Sequence, residues 1–101
     1  MALAAVATIG FGNASAKPAP RTVAVTIDKL AFGQIPRGLH VGDTILWSNH
    51  DLFRHSVTAQ GHFNLDLAAG ATGRMMLGKA GTFPFTCKYH PGMKGVLRVS
   101  P

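Results

Sequence analysis

From Val23 onward the chain is written in short apolar–polar alternations punctuated by glycine. Val23, Val25 and Ile27 fall on one face of a period-two segment, so the spacing predicts a strand over 23–27. A short extended piece over 30–32 (LAF) is ended by Gly33, and another over 38–41 (GLHV) follows Pro36. Gly42-Asp43 is a turn dipeptide, after which 44–48 (TILWS) reads as the next strand. Residues 55–59 (HSVTA) are short and β-branched. A polar stretch containing Gly61 and Gly70 comes next, then strands over 74–77 and 82–87, the latter with Phe83, Phe85 and Cys87 on one face. A last strand spans 95–99. The segment from Leu65 to Ala69 is the one place where a helical turn is predicted. Pro84 lacks the N–H that an interior strand donates, so it predicts an edge strand or a bulge.

About eight short strands with glycine-rich turns and no convincing helix define an all-β single domain, a sandwich or a barrel. Composition narrows this. The chain is 47% hydrophobic and only 14% charged, which excludes disorder except at the ends. No glycine-every-third or heptad repeat is present, and no apolar run is long enough for a spanning helix. The first 16 residues are apolar and uncharged, and Ala14-Ser15-Ala16 fits the small-x-small pattern that precedes a signal-peptidase cut, although a basic leader is missing. We therefore expect residues 1–16 to be a signal peptide, 17–22 a Pro-rich lead and 23–101 the folded domain, in a periplasmic or otherwise exported protein. All charged residues follow the predicted cut, so the mature chain keeps the net charge of +6.

Export makes the lone Cys87 informative. No internal disulfide can form, and a bare thiol in an oxidising compartment is open to oxidation. Its neighbours offer a solution. Cys87-Lys88-Tyr89-His90-Pro91-Gly92-Met93 carries a thiol, an imidazole and a thioether on one tight loop, a donor set suited to copper. Zinc also takes Cys and His, but would leave Met93 without a role. One loop cannot supply a His₂Cys plane, so a second histidine must come from elsewhere; His55, at the start of a strand after a loop, could reach the same end. His40, His50 and His62 are expected to be solvated, Met75 and Met76 to fill core or edge, and Trp47 to be core. A bound metal would also staple a domain too small for a large core.

These residues resemble the cupredoxins, the small blue-copper proteins such as plastocyanin, pseudoazurin and amicyanin. The resemblance covers most of residues 23–100. It runs through Val41-Gly42-Asp43-Thr44, Trp47-x-Asn49, Asp51-x-x-x-His55-Ser56-Val57-Thr58 and Gly81-Thr82-Phe83-x-Phe85-x-Cys87-x-x-His90-Pro91-x-Met93-Lys94-Gly95. The two-residue spacers on both sides of His90 look most like amicyanin. The resemblance implies a Greek-key β-sandwich holding one mononuclear type 1 copper that cycles between Cu(I) and Cu(II). It implies equatorial ligands His55, Cys87 and His90 and an axial Met93. One position departs from the pattern: Ser56 stands where well-known members carry an asparagine that ties two loops together beside the thiolate. A serine hydroxyl can make a similar, shorter bridge.

The function this predicts is one-electron transfer between redox proteins, with no catalytic apparatus. Leu52, Phe53, Pro91 and Gly92 could form a small apolar docking patch around His90. The net charge predicts partners with acidic docking surfaces, met by a monomer with no transmembrane anchor in the mature chain. The alternative is copper storage or delivery, for which His50 and His62 give modest support. Nucleic-acid binding is disfavoured, because Lys29, Arg37, Arg54, Arg74, Lys88 and Arg98 are scattered and no aromatic ladder accompanies them.

Overall fold

Nine strands build two facing sheets in the computed structural model, which describes residues 18–101; the expected signal peptide lies outside them. In chain order the strands are β1 (Thr22–Asp28), β2 (Ala31–Phe32), β3 (Leu39–His40), β4 (Thr44–Asn49), β5 (His55–Ala59), β6 (Phe63–Leu67), β7 (Thr72–Met76), β8 (Gly81–Thr86) and β9 (Lys94–Ser100). One sheet has the order β2-β1-β4-β7 and the other β3-β9-β8-β5-β6. Both are mixed: β1 runs parallel to β4 and β3 parallel to β9, and the remaining pairs are antiparallel.

The period-two patterns fill the space between the sheets. Val25 and Ile27 of β1 and Ile45 and Trp47 of β4 face Val57 of β5, Phe85 of β8 and Leu97 of β9, all essentially inaccessible to solvent. Rings lock the two layers. Phe85 meets Phe32 and Trp47 edge-on, with centroids 4.8 and 5.7 Å apart. Trp47 is thus core, as expected, and its indole Nε1 is buried without a hydrogen-bond partner. Met75 packs partly against the core and Met76 is exposed on the edge strand β7. Gly95 lies opposite Phe85 in the β8–β9 register. A Cβ there would come 2.8 and 2.9 Å from the two Cε atoms of Phe85 and closer still to Cζ, so only glycine leaves room for the far end of the ring at this position of β9.

Two expectations are corrected. The segment expected to turn helically from Leu65 to Ala69 begins inside a strand, β6, which raises the strand count from eight to nine. It pairs with β5 from His55↔Leu67 to Ala59↔Phe63, and the pairing presents Phe63, Leu65 and Leu67 inward. Five residues cannot satisfy their own backbone as a helix, whereas β5 offers a full ladder. Pro84 sits in β8, an interior strand, where an edge or bulge was expected. It is tolerated because β5 pairs with β8 only at Thr58↔Thr86 and ends at Ala59, so no neighbour on that side calls for its missing N–H.

Candidate metal centre

One end of the sandwich gathers three of the predicted donors, His55, Cys87 and His90. His55 opens β5, and Cys87 follows immediately after β8. The 87–93 loop folds back on itself through three backbone hydrogen bonds: Cys87 N–H to Met93 O (3.1 Å), His90 N–H to Cys87 O (3.3 Å) and Met93 N–H to His90 O (2.9 Å). This closure turns the two-residue spacers into one compact platform. Cys87, Met93 and His55 are buried, and His90 is half-buried at the surface. Cys87 Sγ lies 3.7 Å from His55 Nδ1 and 3.8 Å from His90 Nδ1. The donor atoms of His55, Cys87 and His90 are all within 4.8 Å of one another. A metal bonded at about 2.0–2.3 Å to sulfur and nitrogen in a trigonal plane holds those atoms roughly 3.8 Å apart. The arrangement therefore fits a copper ion held by one thiolate and two imidazoles.

The thiol is prepared for metal. Burial pushes the Cys87 thiol up, but the Ser56 N–H, the two imidazoles and the Tyr89 amide more than reverse this and bring it down to about 6. The Ser56 amide donates to Sγ at 3.3 Å. The same residue's hydroxyl accepts the Lys88 N–H at 2.9 Å and bonds Thr58 Oγ1 at 2.8 Å. Ser56 thus bridges β5 to the 87–93 loop, the role that the resemblance gives to asparagine.

Two residues whose part was not evident from the sequence shape the approach of His55. Asn49, fully buried at the end of β4, donates to the carbonyls of Phe53 (2.8 Å), Leu67 (3.1 Å) and Ala68 (3.2 Å), and its Oδ1 accepts the Asp51 N–H (2.9 Å). It pins the 50–54 loop into a tight arch. Asp51 then accepts a hydrogen bond from His55 Nε2 at 2.8 Å. Burial pushes the His55 imidazole down, but Asp51 and Cys87 outweigh it and leave it raised. The N–H of Leu30, the His55 contact and the N–H of Lys29 hold the Asp51 carboxyl below its usual range against its partial burial. Asp51 precedes His55 by four positions, a spacing visible in the chain, but nothing local says that the intervening loop folds back.

Around the site the surface is mixed. Leu52 is 89% and Phe53 53% exposed, Pro91 and Gly92 are exposed, and the Phe53 ring approaches His90 with centroids 6.1 Å apart. To one side Asp66 receives Lys88 Nζ (2.8 Å), Arg54 (3.2 Å) and the Tyr89 hydroxyl (2.8 Å). The other histidines stay away from the cluster. His40 Nδ1 bonds Gly38 O, His62 stacks edge-on against Phe83, and His50 is exposed. Among the described residues, the metal-capable cluster is the His55–Cys87–His90 set.

The sequence matches no family model and no curated relative. Solved structures do match. A reduced Trp-to-Tyr mutant of amicyanin is 26% identical, with a TM-score of 0.63 over 78% of this chain and 82% of that one. The reduced Cu(I) form at pH 4 of a Pro-to-Gly mutant of amicyanin is 26% identical, with a TM-score of 0.63 over 89% and 90%. Amicyanin from Paracoccus versutus (Thiobacillus versutus) gives 20% identity and a TM-score of 0.66 over 86% and 87%.

Proposed function

We propose that this chain, an amicyanin-like cupredoxin, is an exported blue-copper protein that carries single electrons between redox partners. His55, Cys87 and His90 are its equatorial ligands and Met93 its axial one. The observation that carries the reading is the His55–Cys87–His90 cluster at one end of a cupredoxin sandwich. Copper, when bound, supplies a one-electron couple between Cu(I) and Cu(II). The rest is the work of the chain. Cys87 is ionised near neutral pH by the hydrogen bonds it receives, so it is ready as a soft donor. The strand end and the closed loop hold both imidazoles facing its sulfur, leaving little to rearrange when the charge at the site changes. Burial of Cys87, His55 and Met93 keeps water off the donors.

Half-buried His90 is the ring through which a partner can approach, bordered by Leu52, Phe53, Pro91 and Gly92. An apolar patch of this size suits the small, short-lived interfaces of redox encounters. The net charge of +6 favours partners with acidic faces. Export rests on Ala14-Ser15-Ala16, and no helix among the described residues is long and apolar enough to cross a membrane. Delivery would call for an open site from which metal can be handed on, whereas His55, Cys87 and Met93 are buried and only the His90 ring reaches the surface, which favours the carrier.

The test is to load the purified protein with Cu(II). An intense thiolate-to-copper absorption band is expected, and Cys87→Ser removes it because an alcohol cannot replace the soft donor. A colourless Cu(II) protein overturns the reading. Binding of Cu(I) alone would favour delivery.

A further inference from the structure

We infer that Asp51 is the positioning residue of the copper site: its carboxylate holds His55 by Nε2, aims Nδ1 at Cys87 and biases the site towards Cu(II). The inference rests on the copper reading above. An imidazole has two nitrogens, and a neutral ring that offers one lone pair to a metal must carry its proton on the other. In this fold His55 is fully buried, with Nδ1 3.7 Å from the Cys87 sulfur and Nε2 2.8 Å from Asp51 Oδ2. The carboxylate therefore fixes both the tautomer and the ring plane.

Asp51 is itself braced from three directions. Its Oδ2 accepts the Leu30 N–H at 2.8 Å, its Oδ1 accepts the Lys29 N–H at 3.0 Å, and its own N–H is held by Asn49. Lys29 and Leu30 reach it from the β1–β2 turn, more than twenty positions away, with φ of 54° and 58°. Two consecutive non-glycine residues in the left-handed region are uncommon. Here they are the two loop residues of the β1–β2 hairpin, a turn that favours positive φ at both positions, and the turn also presents both amides to the Asp51 carboxylate, Lys29 sharing its N–H with Asp28 Oδ1. The β1–β2 turn thereby becomes part of the support of the ligand His55.

The consequence is electronic as well as geometric. A negative charge on the far side of a ligating imidazole makes the ring a stronger donor and compensates the more highly charged metal state better than the less charged one. Asp51 touches the ligand and not the metal, so its effect should appear in the balance between oxidation states.

The test compares wild type with Asp51→Asn, which keeps the shape and an acceptor oxygen but loses the charge. Cu(II) affinity should fall about 10–100-fold, Cu(I) affinity should fall less, and the midpoint potential should rise while the blue band persists. An unchanged potential in a blue Asp51→Asn protein overturns the inference. A second measurement does not depend on the variant folding. In diamagnetic Cu(I) wild type, the His55 Nε2–H should give a sharp, slowly exchanging resonance in nitrogen-edited NMR; fast exchange at that nitrogen also overturns it. A wild-type protein that never turns blue fails the copper reading instead, and the same resonance in the metal-free protein then decides the role of Asp51 by itself.

Discussion

Substituting Ser56 by alanine separates two contributions that this residue makes to the site. Its backbone N–H donates to Cys87 Sγ, a contact that alanine keeps. Its hydroxyl accepts the Lys88 N–H and bonds Thr58 Oγ1, contacts that alanine loses. The side chain is fully enclosed, so water does not replace the hydroxyl without rearrangement. The Lys88 N–H is left without its partner, and stranding a donor of this kind costs about 1–3 kcal/mol. In a domain of this size each kcal/mol moves Tm by about 4–8 °C. Ser56→Ala should therefore melt at least about 4 °C below wild type in the metal-free form, followed by circular dichroism. Because the amide-to-sulfur bond survives, the position of the copper band should stay close to that of wild type. An unshifted Tm would refute the view that the hydroxyl ties β5 to the ligand loop. A large spectral change with an unshifted Tm would mean that the hydroxyl acts on the thiolate and not on the loop.

Gly95→Ala forces a methyl group against the buried Phe85 ring, two positions before Cys87, and should destabilise the fold by about 1–3 kcal/mol or more; chemical denaturation reads this directly, and a neutral result would mean that the ring moves freely. The Asp66 cluster predicts a pH signature. Lys88, Tyr89 and Arg54 outweigh partial burial and bring the Asp66 carboxyl down to about 2. A depressed carboxyl contributes stability above its unfolded value of 3.8 and loses it as pH falls towards 2, so acid unfolding of wild type should steepen in that window and Asp66→Asn should not show the difference. Asp66 likewise raises the Tyr89 phenol above its usual value, and spectrophotometric titration of Tyr89 should shift down in Asp66→Asn.

How much was legible in the chain depended on distance along it. The strands of β1, β4, β5, β8 and β9 could be read because alternation is a local property that a buried sheet face imposes on each strand. Cys87, His90 and Met93 lie within seven residues, so their tight loop was readable as a donor set before any fold was known. The β6 strand was not, because Leu65 to Ala69 is as compatible with a helical turn as with a strand until β5 offers hydrogen bonds to it. Pro84 was misplaced for the same reason: only the early end of β5 makes an interior strand tolerant of it.

By itself, then, the sequence determined the all-β class, the inward-facing set and the loop that carries three of the four proposed ligands, since each is written in neighbouring residues. The tertiary structure decided everything that joins distant segments. It brought His55 to Cys87 across 32 positions, set the Ser56 amide on the sulfur, and used two left-handed residues of the β1–β2 turn to hold the carboxylate behind His55. Such contacts carry no local signature. They exist because closing the sandwich brings loop ends together, and there buried polar groups must find partners in one another.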